Sequence, residues 1–321
     1  MNRLGLYLSI GILICLVEGT GIILSISPEE PQFDLDELLL SDDAFQAVQQ
    51  FYKYDKDIPL APIVVKQKET EEYSLEKISF KGADELLVPG YFALPKNGTP
   101  PYPCILLLHG MTLSKEQWWE ADSWHKGPPL APKLLKSGFA VLAIDYPLHG
   151  ERSILNGYEN TAQMLFRKRM IYKFRDMVID GVIDCRRALD YLESREEIDP
   201  TRLGVIGSSL GGTMSLLLTG IDSRIKVTTA LVAPTLIRPI YEGQPDISSI
   251  APYNFVRAFD RRPILMLMGK NDDFNYTVEG ARALYDLIRG DSKEIIFFDC
   301  GHRLPREYSS RAVEWFDTYL K

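Results

Sequence analysis

Ser209 stands in a sequence context that can turn a serine hydroxyl into a nucleophile. Residues 207–211 read GSSLG and fit the pattern G-x-S-x-G. The apolar residues before this motif predict a strand, and residues 213–218, which lack Gly and Pro, predict a helix. In a strand-to-helix turn of this kind, the glycines permit close passage of the backbone and the hydroxyl is exposed at the strand end. The motif is short, so it predicts a nucleophile only if the chain also supplies a base, an acid and oxyanion donors.

His302 is the expected general base. A serine hydroxyl reacts only when a base takes its proton, and the chain order for this turn is serine, acid, histidine. Only one of the four histidines follows Ser209, and it comes directly after the last predicted strand, residues 294–298. We expect His109 to be structural and His149 either to hydrogen-bond the backbone of its own loop or to contact the substrate.

Asp272 is the expected acid that orients the base. It follows the predicted strand 264–268, so it should reach the same edge of the sheet as the base. Asp273 is the alternative, because a shift of one residue in the loop would exchange the two side chains. Either aspartate could instead cap the following helix.

The oxyanion donors are expected from two backbone amides. Leu210, the residue after the nucleophile, supplies one of them, and the loop after the strand that ends at Leu108 supplies the other. That loop opens with residues 109–112, and we assign its donor to the amide of Met111.

Length, composition and charge favour a globular protein that does not bind nucleic acid. The 321 residues are 45% hydrophobic and 25% charged, with a formal net charge of −8. Such a chain is long enough for one large domain with an appendage, and the acidic balance with no basic stripe argues against a nucleic-acid partner. The spacing of the four cysteines suggests neither a metal site nor a disulfide framework, so we read them as buried free thiols. The serine chemistry expected here requires no metal or organic cofactor, so we expect none.

Residues 1–27 predict a signal peptide or an N-terminal membrane anchor. A basic start precedes an apolar stretch and then small residues, as in export signals. Residues 4–26 are also long enough to span a bilayer, although Glu18 would then lie within the span. We therefore expect the protein to be exported (secreted or periplasmic) or anchored to a membrane.

The remaining chain predicts an α/β domain. Residues 28–70 are polar and acidic, with helical spacing of apolar residues, and are assigned to an N-terminal helical extension. Residues 71–321 begin with an antiparallel hairpin at a sheet edge and then alternate apolar strands with amphipathic helices. That alternation predicts a mostly parallel sheet of about eight strands with helices on both faces.

From about residue 73 to its end, the chain resembles the α/β-hydrolase superfamily. The similarity is greatest to dienelactone-hydrolase-like and prolyl-oligopeptidase-like serine esterases, including acetyl xylan esterase types. It implies a triad of Ser209, Asp272 and His302, an oxyanion hole at Met111 and Leu210, and a small cap over residues 152–175. The resemblance rests on five ordered segments: 108–110 (LHG), 145–152 (DYPLHGER), 198–212, 269–272 (GKND) and 301–302 (GH).

These features predict a serine hydrolase that cleaves a small-molecule carboxylic ester through an acyl-enzyme intermediate. Two alternatives stay open. A peptidase of the prolyl-oligopeptidase type would use the same machinery on an amide. A non-catalytic, membrane-tethered binding protein on a hydrolase fold would usually lack one of the triad residues, and here all three are present.

Overall fold

The computed structural model describes residues 35–237, 243–272 and 276–321. The predicted leader, residues 1–27, lies outside this range, so export or anchoring stays a prediction. Among the helices of the described residues, none is both long enough and apolar enough to cross a bilayer. The chain divides into two units, Met1–Leu38 and Leu39–Lys321.

Nine strands of the described residues form a single sheet, which confirms the predicted fold class. Six of the strands are parallel to one another, in the order β5-β4-β6-β7-β8-β9. The sheet continues on the other side of β5 with three strands in antiparallel pairing, in the order β3-β2-β1. The strands are β1 (Ile63–Glu69), β2 (Tyr73–Lys81), β3 (Leu87–Pro95), β4 (Tyr102–Leu108), β5 (Ala140–Ile144), β6 (Ile198–Ser208), β7 (Ile225–Leu231), β8 (Ile264–Gly269) and β9 (Lys293–Phe298).

Strand β1 corrects the prediction for residues 28–70. That segment contains helices, as expected, but it ends in a strand, which gives the sheet nine strands instead of about eight. All seven residues of β1 are exposed, so no face is buried and no alternating pattern marks the strand in the sequence. The predicted hairpin of β2 and β3 is antiparallel, but β1 occupies the sheet edge beside it.

The helices lie between the strands as the alternation predicted. In α4 the stripe Val178, Val182, Cys185, Leu189 and Leu192 is buried, as its spacing required. The helices are α1 (Leu35–Leu38), α2 (Asp42–Gln50), α3 (Leu130–Lys136), α4 (Ile171–Glu193), α5 (Leu210–Ile221), α6 (Pro252–Phe255), α7 (Val278–Asp286) and α8 (Tyr308–Leu320).

The centre of the sheet is fully buried. Every residue of β4, β5 and β8 is buried, because helices cover both faces of the parallel strands. Cys104 and Cys185 are buried free thiols as predicted, whereas Cys300 is half-buried on a loop. The loops that carry the candidate site begin at the ends of these buried strands.

The predicted cap, residues 152–175, follows β5. It contains most of a 3₁₀-helical segment, Gly150–Asn156, and a π-helical turn, Gln163–Arg167, and its last residues form the first turn of α4. A buried ion pair between Arg152 and Asp184 of α4 anchors its start.

Candidate active site

Ser209 occupies a strained turn between β6 and α5. Its backbone has φ 55° and ψ −118°, a region that residues with a side chain rarely adopt. The amide of Ser209 donates to the carbonyl of Leu231 at 2.8 Å, which ties the turn to β7. The hydroxyl therefore projects from the carboxyl end of the sheet, where the loops converge.

The two glycines of the motif are required by close backbone contacts. A Cβ on Gly207 would lie 1.9 Å from the carbonyl oxygen of Gly211. A Cβ on Gly211 would lie 2.2 Å from the carbonyl oxygen of Leu108 at the end of β4. Real Cβ atoms do not approach backbone oxygens this closely, so only glycine permits this turn.

Ser209, His302 and Asp272 form a continuous hydrogen-bonded chain. Nε2 of His302 lies 2.7 Å from Oγ of Ser209, and Nδ1 of His302 is hydrogen-bonded to Oδ2 of Asp272. A carboxylate accepts, so Nδ1 carries the proton and Nε2 is left to accept from the serine hydroxyl. The structure thus brings together the three residues that the sequence assigned to this chemistry.

Asp272 does not cap α7. The helix is capped by Thr277, whose hydroxyl accepts from the amide of Gly280 at 3.0 Å. The carboxylate of Asp272 is nearly buried and faces His302. The alternative acid, Asp273, lies outside the described residues.

The loop that carries Asp272 is in direct contact with the loop that carries His302. The amide of Asn271 donates to the carbonyl of Cys300 at 2.9 Å, and a Cβ on Gly269 would lie 2.2 Å from the carbonyl oxygen of Gly301. The phenol of Tyr276 accepts from the amide of Gly269 at 2.8 Å. Burial and the nearby Asp272 carboxylate raise the pKa of Tyr276 well above its usual value, so the phenol stays neutral beside the acid.

Both expected oxyanion loops reach the nucleophile. Leu210 is the first residue of α5, and the first amides of a helix have no acceptor within it. A Cβ on Gly110, the residue before Met111, would lie 3.7 Å from Cβ of Ser209. The amide of Gly110 donates to the side-chain oxygen of Gln117 at 2.9 Å, which fixes the start of this loop.

The other three histidines are buried. Nδ1 of His109 donates to the carbonyl of Gly110 and Nδ1 of His149 donates to that of Pro147, each at 2.9 Å. His149 thus bonds the backbone of its own loop as predicted, and the structural role of His109 stays a prediction. His125, to which the sequence analysis gave no role, is also buried. Burial lowers the pKa of each of these three histidines to about 3, so all three are neutral at neutral pH.

These buried histidines predict acid sensitivity. Their pKa values of about 3 in the folded chain lie below the value of about 6.5 for an unfolded one, so below pH 6.5 the unfolded state binds more protons. Their contribution to stability is complete above that pH and is lost as the pH falls towards 3. We expect the free energy of unfolding in urea to fall between pH 6 and pH 5 with a slope of up to about 4 kcal/mol per pH unit. A slope below about 1.4 kcal/mol per pH unit, which corresponds to the uptake of fewer than one proton on unfolding, would contradict neutral burial of the three side chains.

A buried cation supports the loop after β5. Nζ of Lys115 lies 2.7 Å from Asp145 and 2.6 Å from Glu151, and the Lys115 side chain is fully buried. Burial alone would lower the pKa of Lys115, but the carboxylates outweigh it and raise the pKa above its usual value. The cation thereby joins the oxyanion loop to the loop after β5.

A cavity of about 480 Å³ lies between these two loops. Leu113 lines it, and both Leu113 and Ser209 lie near Gly110, because a Cβ on Gly110 would be 3.2 Å from Cδ1 of Leu113 and 3.7 Å from Cβ of Ser209. The lining is mostly polar and includes no Lys or Arg. Its charged side chains are Glu116, Glu120 and Glu159, and its hydroxyl side chains are Thr112, Ser114, Ser123, Ser153, Tyr158 and Thr161.

Within the described residues no group of three or more His, Cys, Asp or Glu side chains is arranged to hold a metal ion.

Comparisons with known proteins agree with this architecture. The family model described as "Alpha/beta hydrolase family" matches residues 105–261. A Bacillus subtilis (strain 168) protein named "Putative hydrolase YtaP" is 30% identical over 177 residues, which are 54% of this chain and 57% of that one. This chain thus aligns with little more than half the length of that relative.

Two further similarities cover more of the chain. The Bacillus subtilis (strain 168) protein named "Putative esterase YitV" is 25% identical over 248 residues, covering 68% of this chain and 89% of that one. The solved structure of an acetyl xylan esterase from Paenibacillus sp. R4 superposes with a TM-score of 0.65 at 20% identity, covering 90% of this chain and all of that one. The sheet topology and the structural superposition show that the chain has the α/β-hydrolase fold, and residues 105–261 are similar to the α/β-hydrolase family.

Proposed function

We propose that this protein is a serine esterase. The observation that carries the proposal is the hydrogen-bonded chain from Ser209 through His302 to Asp272. A hydroxyl, an imidazole with its Nδ1 proton held by a carboxylate, and nearby backbone amides are the parts that acyl transfer needs. The name of the relative YitV as an esterase supports the choice of an ester as substrate.

The proposed reaction proceeds in two halves. Ser209 attacks the ester carbonyl while Nε2 of His302 takes the hydroxyl proton, and the amides of Met111 and Leu210 stabilise the resulting oxyanion. His302 then gives the proton to the leaving alcohol, and the acyl group stays on Ser209. Water, deprotonated by the same histidine, releases the acid. Asp272 holds the imidazole in one tautomer and stabilises its charged form.

The experiment that tests this proposal looks for the acyl-enzyme and for bond specificity. Rapid mixing with p-nitrophenyl acetate should give a burst of p-nitrophenol close to one equivalent if deacylation is slower, and a quenched sample should carry an acetyl group on Ser209 by mass spectrometry. Matched p-nitroanilides should react far more slowly. Efficient anilide cleavage would favour the peptidase alternative, and no turnover of either class would favour the binding protein.

The cavity beside Leu113 supports a polar alcohol as the leaving group. A hydrocarbon acyl chain gains from apolar surroundings, whereas hydroxyl and carboxylate side chains suit an alcohol that can hydrogen-bond. Because its charged side chains are all acidic, we propose that the alcohol is neutral or cationic and that anionic esters are rejected.

Reversing one cavity charge should shift this preference. Glu120 is exposed at the cavity, so Glu120→Lys should lower kcat/KM for acetylcholine relative to O-acetylglycolate by about 3- to 10-fold, and less at high salt. Neutral 2-methoxyethyl acetate should change least. Glu71→Lys is the matched control. Glu71 is exposed in the β1–β2 turn, which lies towards the amino ends of the parallel strands, whereas the site lies at their carboxyl ends. Equal shifts in both variants would contradict a local role of the cavity.

A further inference from the structure

His125 is a buried imidazole whose two ring nitrogens both bond next to the candidate triad. The amide of Leu304, two residues after His302, donates to Nδ1 of His125 at 3.1 Å. Nε2 of His125 lies 2.8 Å from Oγ of Ser208, the residue before Ser209. The side chain thus spans from the base loop to the end of the nucleophile strand.

The hydrogen bonds fix the tautomer of His125. A backbone amide can only donate, so Nδ1 must accept and carries no proton. The proton of the neutral ring is then on Nε2, which donates to the hydroxyl oxygen of Ser208. Burial and the neighbouring His302 lower the pKa of His125 to about 3, so this arrangement persists at neutral pH.

The segment around His125 follows the base loop closely. Nε1 of Trp124 donates to the carbonyl of His302 at 3.2 Å, and the Trp124 ring lies edge-on to the imidazole of His302 with centroids 5.8 Å apart. The amide of Lys126 donates to the carbonyl of Leu304 at 2.9 Å. His125 is the member of this segment that also reaches β6.

We propose that His125 is a positioning residue: by joining Leu304 to Ser208, it fixes the imidazole of His302 relative to the hydroxyl of Ser209. This inference rests on the proposed function, since it concerns the geometry of that triad. The Nε2–Oγ separation of 2.7 Å between His302 and Ser209 is the quantity it controls. A shift of about 1 Å in such a contact can cost about 100-fold in rate.

Substitutions at His125 separate its two bonds. His125→Phe keeps a ring but removes both bonds, His125→Gln can keep a donor towards Ser208, and His125→Asn can keep an acceptor for Leu304. We expect His125→Phe to lower kcat by about 10- to 100-fold with KM changed by less than about 3-fold, and the two amides to fall in between. A change confined to KM would overturn the proposal.

A double-mutant cycle tests whether His125 acts through the base. In a His302→Ala background there is no imidazole to position, so His125→Phe should then lower the residual rate by less than about 2-fold. An equal loss in both backgrounds would show a general structural effect and would overturn the inference. If His302→Ala itself hydrolyses as fast as the wild type, it is the proposed triad that fails.

Two further variants complete the test. Arg303→Ala is the matched control: it removes the exposed hydrogen bond from Arg303 to the carbonyl of Asp122, which joins the same two segments, and should leave kcat within about 3-fold. A loss as large as that of His125→Phe would assign the effect to tethering in general and overturn the role of His125. Should His125→Phe fail to fold, Ser208→Ala removes only the acceptor of the Nε2 proton and should lower kcat in the wild type but not in His302→Ala.

Discussion

Ser209→Ala should lower kcat for p-nitrophenyl acetate by about 10⁴- to 10⁶-fold while leaving the protein folded, because it removes the atom that forms the acyl-enzyme. The residual rate would come from the oxyanion amides and from binding alone. Steady-state kinetics, with circular dichroism to verify folding, measure this effect.

The matched control is another serine beside the same turn. Ser215 is buried in α5 and donates its hydroxyl to the carbonyl of Gly212 at 2.7 Å, away from the base. Ser215→Ala should keep kcat within about 3-fold of the wild type, since it removes one ordinary hydrogen bond. If Ser209→Ala hydrolysed as fast as Ser215→Ala, another residue would have to be the nucleophile.

Gly207→Ala should destabilise the protein by more than about 4 kcal/mol or prevent folding, because the new methyl group would overlap the carbonyl of Gly211 at 1.9 Å. The overlapping atoms are backbone, so no side chain can rotate to make room. The backbone of the turn itself would have to move, and with it Ser209. Soluble yield and urea unfolding measure the loss.

Gly280→Ala is the matched control for that substitution. Gly280 lies in the first turn of α7, and its Cβ would meet only side-chain atoms at 3.3 Å or more. Alanine favours a helix over glycine by up to about 1 kcal/mol, so stability should change little. Equal destabilisation by both substitutions would contradict the steric account of the nucleophile turn.

The three residues of the proposed triad could be grouped from the sequence because the order of the strands determines which loops meet. Ser209, Asp272 and His302 each follow an apolar strand, and parallel strands end at one edge, so order along the chain was enough to group them. The sequence pattern leaves both Asp272 and Asp273 open, since a loop can shift by one residue without changing it. In the structure the carboxylate of Asp272 is hydrogen-bonded to His302 and Thr277 caps the helix, whereas Asp273 lies outside the described residues.

The features that the sequence did not reveal depend on contacts between distant residues. His125 lies in an irregular loop, 83 residues from Ser208 and 179 from Leu304, and no periodic pattern connects them. The buried Lys115 pairs with Asp145, 30 residues away, and a lysine in a loop is normally read as exposed. Strand β1 could not be predicted because all of its residues are exposed, so that no hydrophobic pattern marks it in the sequence.

Reaction with a fluorophosphonate probe tests most directly the claim that Ser209 is an activated nucleophile. A serine whose proton a neighbouring base removes attacks the phosphorus of such a probe, forms a stable P–O bond and displaces fluoride. We expect one phosphonyl group per chain, located on Ser209 by peptide mass spectrometry, and no labelling of Ser209→Ala. Labelling of folded wild-type protein at another residue, or none at all, would contradict it.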